Sequence, residues 1–240
     1  MARKTSGSSS TVSMTGLGIG LVMKLRAIWL LAGEALRFAG PSRYNSVLSM
    51  SSLLSAAITD LSSGDAVMRA AAATEIYRRG RAPADRTVYS WWNNLEFAAL
   101  FGASPVVTVG LAVRPSTFAH IREANGAPPL SRVPPDQDAV EFELHFQNDV
   151  ALDVLTTRDP EGQGAIAKYL AKFGEGVQQV EFRCANVDRA TQILKEEFKI
   201  SPIYPQTRPG ADHTRVNFFL VPLPNGGKVL VELYERSGSV

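Results

Sequence analysis

Acidic, amide and imidazole side chains recur at every second position of several predicted strands in the C-terminal half of the chain. The stretch VEFELHF alternates apolar residues with Glu141, Glu143 and His145, and GVQQVEFR carries Gln179 in a similar pattern. Because residues two apart in a strand share a face, Glu141, Glu143 and His145 lie together. In a shielded cleft they can move protons next to a carbonyl, whereas on a water-facing sheet they are ordinary solvated charges. Both interpretations are open.

The composition is that of an ordinary folded protein, with 240 residues, 45% hydrophobic, 20% charged, and a net charge of +2. This balance provides no broad basic surface, so we expect no nucleic-acid partner. The single cysteine, Cys184, excludes an intrachain disulfide and is expected to be a buried, inert thiol. These features favour the cytoplasm or another reducing compartment.

Residues 1–44 combine a basic, Ser- and Gly-rich stretch with an apolar stretch that charged residues interrupt. No apolar run approaches the roughly 18 residues of a membrane-spanning helix, so we expect no transmembrane span. The segment is interpreted as a flexible, amphipathic tail. Its helix either docks on the rest of the protein or serves as an organelle presequence or membrane-surface helix.

Residues 45–103 carry apolar side chains at three- and four-residue spacing, which predicts helices. The first helix ends at the SSGD break, the second ends at Gly80 after two arginines, and the third begins at RAPAD. The first two resemble a HEAT-type helical hairpin. We interpret the segment as a cap on the domain that follows, because one such unit cannot form a solenoid.

Near Ser104 the period of apolar residues changes to that of strands. The predicted strands are VVTVGLAV, AVEFELHF, VALDVLTT, VQQVEFRC, TRVNFFLVP and KVLVELYE, and the predicted helices are STFAHIREANG and VDRATQILKEEF. Residues 158–176 are predicted to be a linker. Strand, helix and strands thus occur twice, which predicts an α+β fold with paired βαβββ modules over residues 104–240, preceded by the N-terminal helical segment.

The paired modules resemble the vicinal oxygen chelate superfamily. The phrases DVLTTRDPEGQGAIAKYLAKFGEGVQQVEF, RPGADHTRVNFFLVP and GGKVLVELYE are similar to its methylmalonyl-CoA epimerase branch, and the resemblance covers residues 105–236. It implies sheets that curl around a cleft, in which four strand residues hold one divalent metal. Carried over by motif, these are Thr108, Asp153, Gln179 and Glu232, with histidine expected in the family at Thr108 and Gln179.

Without either imidazole, the implied metal site is a weak one. Asp153, Gln179 and Glu232 offer only oxygen ligands, which suit Mn or Mg better than Zn and hold either loosely or not at all. The alternative is a metal-free sheet, in which Gln179 forms hydrogen bonds across strands and Asp153 pairs with an arginine.

The resemblance implies an epimerase- or glyoxalase-like lyase or isomerase that removes a proton next to the carbonyl of a small substrate such as a thioester. Glu141, Glu143 and Glu232 are the candidate catalytic carboxylates, and His145 is the candidate second acid or base. Two alternatives stay open: a non-catalytic module that binds a small molecule, and a structural or assembly protein that uses its helical segment. A homodimer is expected by analogy with the superfamily.

Replacing Gln179 with histidine tests whether this is a degraded chelate. The unaltered chain should bind Mn or Mg with micromolar to millimolar affinity at best, about 4 to 8 kcal/mol. Gln179→His should tighten binding of Zn or Co, because it adds the stronger donor. Isothermal titration calorimetry measures both affinities. An intact fold with no gain in metal affinity would show that the position is not part of a chelate.

Overall fold

The structure is a computed structural model that describes residues 52–224 and 226–236. The predictions for residues 1–44, and those for residues 45–51 of the helical segment, lie outside this part of the chain. Within the described residues, no helix has both the length and the apolar character needed to cross a membrane.

Helices precede and flank one sheet. The helices are α1 (52–60), α2 (Ala66–Val88), α3 (Leu95–Ala99), α4 (Pro115–Ala124), α5 (Ala165–Phe173) and α6 (Val187–Glu196), with 3₁₀ turns at Tyr89–Asn93 and Ala211–His213. The strands are β1 (Val107–Ala112), β2 (Val140–His145), β3 (Ala151–Thr156), β4 (Gly176–Arg183), β5 (Arg208–Pro209), β6 (Thr214–Pro222) and β7 (Lys228–Arg236).

The seven strands form one sheet in the order β2-β3-β1-β4-β7-β6-β5. The central strands β1 and β4 are antiparallel, and each has a parallel neighbour, β3 and β7 respectively. Thr108 lies opposite Glu181 and Gly110 lies opposite Gln179, so the register repeats when β1 and β4 are exchanged. The α+β fold with paired modules, predicted from the repeated element order, is confirmed.

The outer strands follow the same symmetry. Gly110 of β1 aligns with Asp153 of β3, and Glu181 of β4 aligns with Glu232 of β7. An approximate two-fold axis between the central strands therefore relates Asp153 to Glu232. It also places both on the same face of the sheet, because directly paired residues point the same way.

The opposite face of the sheet is apolar and forms the core. Strand positions on this face are almost all Val, Leu or Phe, and most are completely buried: Val109, Leu111, Phe142, Leu152, Val154, Val180, Phe182, Phe219, Val231 and Leu233. They pack against buried side chains of α2, α4 and α6 such as Ile76, Ile121 and Leu194. This packing supplies the burial of apolar area that holds the sheet in place.

Helix α2 lies closely against the central strands. A Cβ atom at Gly80 would stand 2.6 Å from Val109 Cγ1 and 3.0 Å from Val177 Cγ2. The prediction that a helix ends at Gly80 and another begins after it is wrong, because α2 continues to Val88 through Pro83. The glycine allows close packing of the helix on the sheet and is not a helix end.

Helix α5 lies within the segment that was predicted to be a linker. Ile166, Ala167 and Leu170 form its buried side, and they pack with Ala112 and Leu155. The linker prediction is therefore wrong over this helix. Two glycine-rich ends, GQG and GEG, obscured an amphipathic pattern only nine residues long.

The contact at Gly80 can be tested by adding one methyl group. Gly80→Ala should lower the free energy of unfolding by about 1–3 kcal/mol, because the steric clash outweighs the helix propensity gained. Urea denaturation measures the change. Gly64→Ala is the matched control, since a Cβ atom there meets nothing within 4 Å, and it should leave stability unchanged or raise it by up to about 1 kcal/mol. Equal effects at the two positions would contradict the packing of α2.

Candidate functional site

The face of the sheet opposite the core carries two rows of polar residues. In the first row, Glu143 of β2 pairs with Asp153 of β3, which is aligned with Gly110 of β1 and, through it, with Gln179 of β4. In the second row, Thr108 of β1 pairs with Glu181 of β4, which is aligned with Glu232 of β7. We call this surface the acid face, and it consists of Thr108, Glu141, Glu143, Asp153, Gln179, Glu181 and Glu232.

The acid face lies inside a strongly curled sheet. Arg236 Nη2 of β7 is 3.8 Å from Glu143 Oε1 of β2, although β3, β1 and β4 separate these strands in the sheet. Side chains of such distant strands meet only when the sheet curves around them. As a result, Thr108, Asp153 and Glu181 are at least nine-tenths buried.

Two loops also bridge the edges of the sheet. Arg132 N, before β2, donates to Asp212 Oδ1 at 2.9 Å, and Asp212 N donates to Arg132 O at 3.2 Å. An ion pair of 2.5 Å joins Arg208 Nη2 of β5 to Asp136 Oδ2. These contacts close one side of the curl and bring Asp212 close enough to Glu141 to raise the pKa of that carboxyl.

Gly110 leaves the space that the central side chains of the acid face occupy. A Cβ atom at this position would stand 2.5 Å from Gln179 Cγ and 3.2 Å from Glu181 Oε1. A β-bulge follows directly, since the register of β1 and β4 shifts between Gly110 and Leu111. Glycines and bulges at such places allow close approach and redirect side chains.

Gln179 joins two carboxylates. Its Nε2 donates to Glu181 Oε1 at 3.0 Å and to Glu232 Oε2 at 2.8 Å. The two N–H groups of one amide thus serve two acids on neighbouring strands, and Gln179 is itself buried. Gln179 therefore forms a hydrogen bond across strands, as the metal-free alternative expects.

Asp153 has a different environment from the one expected in the metal-free alternative. No arginine pairs with it in the described residues, and its Oδ1 atom is buried without a hydrogen-bond partner. Its pKa is raised well above the ordinary value, first by burial and then by repulsion from surrounding glutamates, with Glu141 and Glu181 the largest. An uncharged, protonated Asp153 is the consequence at moderate pH.

The other carboxyls respond in the same way. Burial raises the pKa of Glu181 to about 8, with further contributions from Glu141 and Glu143, while the Gln179 hydrogen bond opposes the shift. Burial and then Asp212 and Glu143 raise the pKa of Glu141 to about 7. Burial raises the pKa of Glu232 as well. Because these groups interact, the face titrates as a unit and not residue by residue.

Glu143 and His145 lie at the mouth of the curl. His145 Nε2 is 2.9 Å from Glu143 Oε2, and the His145 side chain is 67% exposed. Of the predicted site residues, Asp153 and Gln179 are buried in the interior, Glu141 and Glu232 are half-buried on the same face, and His145 contacts this face through Glu143 at the mouth. An exposed imidazole joined to a carboxylate is placed to exchange protons with solvent.

The donor set differs from that of a transition-metal chelate. Thr108 and Gln179 stand where the resemblance expects histidine, and the amide N–H groups of Gln179, not its oxygen, point at Glu181 and Glu232. In the described residues, no group of three or more His, Cys, Asp or Glu side chains is arranged to hold a metal ion. These residues therefore do not fit the divalent metal that the resemblance implies.

Sequence reasoning missed three participants. Glu181 could have been found from the sequence, because it is two residues after Gln179 and therefore lies on the same face of β4. Gly110 and Asp212 gave no usable signal, because one acts through an absent side chain and the other through loop contacts distant in sequence.

Comparisons with known proteins agree with the fold. No protein-family model matches the chain. No curated protein matches it either. Among solved structures, methylmalonyl-CoA epimerase from Mycobacterium tuberculosis is similar, with 25% identity, a TM-score of 0.46, and coverage of 56% of this chain and 92% of that one.

Two further structures have the same relation to this chain. A variant of Streptomyces coelicolor methylmalonyl-CoA epimerase in complex with 2-nitronate-propionyl-CoA shows 22% identity, a TM-score of 0.45, and coverage of 56% and 99% of the two chains. A hypothetical protein from Bacillus halodurans shows 22% identity, a TM-score of 0.45, and coverage of 55% and 94%. The likeness to the epimerase branch expected from the sequence is confirmed.

The buried charge of Glu181 should be measurable as pH-dependent stability. Its folded pKa of about 8 lies above the ordinary value of 4.5, so the protein loses stability as pH rises from about 4.5 to 8 and no further above that. Glu181→Gln should therefore raise the free energy of unfolding by about 1–4 kcal/mol at pH 9 and leave it unchanged near pH 4.

Urea denaturation in sodium phosphate and borate buffers, which contain no amine, measures this difference. Glu96→Gln is the control, because the Arg189 hydrogen bond lowers the pKa of the exposed Glu96 carboxyl and its loss brings no stabilisation. A Glu181→Gln protein no more stable than the wild type at pH 9 would contradict the buried acid cluster.

Proposed function

We propose that the acid face is a proton-transfer site that acts next to the carbonyl of a small molecule, as in an epimerase- or glyoxalase-like isomerase or lyase. One observation carries the proposal: carboxyls with raised pKa values, about 7 at the half-buried Glu141 and about 8 at the buried Glu181, share one shielded concave surface. Near neutral pH such a set contains both ionised and protonated members. A base and an acid are then present side by side.

Glu141 is the proposed base. It is partly exposed on β2, and its pKa of about 7 makes it a carboxylate for much of the time at neutral pH. A base with a pKa near the working pH removes a carbon-bound proton most effectively. Glu143 and His145 then connect Glu141 to solvent, because their 2.9 Å contact reaches the mouth of the curl.

Asp153 is the proposed acid. Its raised pKa favours the protonated form, and its Oδ1 has no hydrogen-bond partner among the described residues, so this carboxyl is the one proposed to donate to a substrate oxygen. As Glu141 takes the α-proton, the C–H electron pair forms a C=C bond, and the carbonyl oxygen receives the proton of Asp153. The reverse transfer returns a proton to carbon, on the same face or on the opposite one.

Gln179 holds the remaining acids in place. Its amide donates to Glu181 and Glu232 and so keeps their charge localised away from the developing enol oxygen. Glu232 is thus a supporting residue in this proposal and not the base. The binding-module alternative uses the same face without proton transfer, while the homodimer and assembly hypotheses stay predictions.

Hydrogen–deuterium exchange at carbon tests the proposal without a known substrate. The panel is methylmalonyl-CoA, which is anionic and is bound in one solved methylmalonyl-CoA epimerase structure, the neutral thioester of acetoacetate with N-acetylcysteamine, and the cationic ketone aminoacetone. Proton NMR in D₂O should show exchange of at least one compound faster than without protein. The rate should rise with pH near 7 as Glu141 ionises, and fall at higher pH where Asp153, whose pKa burial raises well above its ordinary value, loses its proton.

Variants link the exchange to the acid face. Asp153→Asn should slow exchange by about 10²-fold or more, because the protonated donor is lost. Glu196→Gln, an exposed substitution on α6 on the other side of the sheet, should leave the rate unchanged. Exchange no faster than in protein-free solution for the whole panel would show that the face does not transfer protons.

A further inference from the structure

The acid face contains more acceptor atoms and negative charge than the described residues balance. In this part of the chain, no ion pair joins Glu141, Asp153, Glu181 or Glu232 to an Arg, Lys or His side chain. In addition to burial, repulsion from neighbouring carboxylates raises the pKa of each of these groups. A buried set of like charges is costly unless protons or a cation neutralise it.

Asp153 supplies an independent observation. Its side chain is 94% buried, being 6% exposed, and its Oδ1 atom has no hydrogen-bond donor. A buried acceptor without a partner costs free energy that a donor entering the curl would recover. The register aims Asp153 into the acid face between Glu143 on β2 and Gly110 on β1.

Among the described residues, the basic side chains on the acid-face side of β4 and β7 lie at the strand ends. Arg183 and Arg236 are exposed and lie at the last residues of β4 and β7, on the face that Gln179 and Glu232 share. Arg236 approaches Glu143 at 3.8 Å, outside normal hydrogen-bond distance. The described interior therefore offers carboxyls that a cation can hold in their ionised form, whereas a small anion finds no positive partner among them.

We propose that the ligand of the acid face is a small organic cation bearing an ammonium group, which donates to Asp153 and lies among Glu141, Glu181 and Glu232. This inference rests on the proposed function, which places the ligand on this face. An ammonium group has three N–H donors and a full positive charge, and the face lacks both. No three of these acids are arranged to hold a metal ion. An organic cation, whose N–H donors point in different directions, therefore matches them better than a metal ion.

The size of the charge set favours an amine over a neutral donor. A neutral alcohol or amide satisfies Asp153 Oδ1 but leaves the repulsion among Glu141, Glu181 and Glu232 unchanged. A second ammonium group at a distance of a few carbon atoms meets further carboxylates on the neighbouring strands. Diamines should therefore bind more tightly than monoamines of the same length.

Calorimetry with a matched series tests the ligand class. The probes are butanol, butylamine and 1,4-diaminobutane, which keep the same carbon chain and differ in the number of positive charges. We expect the diamine to bind more tightly than butylamine, butanol to give no binding, and added sodium chloride to weaken both amines through screening. Butanol binding as tightly as butylamine overturns the proposal.

Variants separate the acid face from other negative surface. Asp153→Asn keeps the shape of the side chain and should weaken diamine binding about tenfold, because it removes a charge-assisted hydrogen bond. Glu232→Gln is a second variant on another strand and should weaken it similarly, with circular dichroism to verify the fold of each. Glu196→Gln should bind as the wild type does. Unchanged affinity in both folded acid-face variants overturns the proposal.

The two proposals fail in distinguishable ways. Proton exchange on the neutral or anionic compounds, with no amine binding, overturns the cationic ligand and leaves the proton-transfer function. Amine binding that depends on Asp153, without exchange on any compound of the panel, overturns the proton-transfer function and leaves a cation-binding module.

Discussion

The burial of several carboxyls on one surface, with no Arg, Lys or His of the described residues paired to Asp153, Glu181 or Glu232, is the constraint on which the rest of the site depends. Placing Asp153, Glu181 and Glu232 together costs free energy through lost hydration and mutual repulsion. The core on the other face offsets this cost, because nearly every second position of the same strands is a fully buried Val, Leu or Phe. The alternation that makes the core strong also aligns the acids.

The two-fold relation of the modules concentrates the acids at the centre. Thr108 and Gln179 exchange under it, as do Asp153 and Glu232, so each module contributes one acid beside its central strand. The two-fold relation is not exact at the centre of the acid face. Gly110 occupies the position related to Glu181, and its missing side chain leaves the space that Gln179 and Glu181 fill.

Sequence patterns predicted what depends on neighbours along the chain, and failed where distant contacts decide. Period-two alternation located Glu141, Glu143 and His145 on one face of their strand, because strand geometry alone determines it. Helix termination at Gly80 was wrong, since the contact with Val109 that uses this glycine lies elsewhere in the sequence. The metal-free alternative also paired Asp153 with an arginine, and no described arginine does so, because alternation gives the face of a residue and not its cross-strand neighbours.

Protons and cations compete for the same groups on the acid face, so ligand charge and acid–base state are linked. A cation beside Glu141 and Glu181 favours their ionised forms and lowers their pKa values from about 7 and 8 towards the ordinary range. Binding of a cation therefore releases protons, and by linkage deprotonation tightens cation binding. For a substrate that carries an ammonium group, arrival at the face would shift Glu141 towards the carboxylate form that the proposed proton transfer uses.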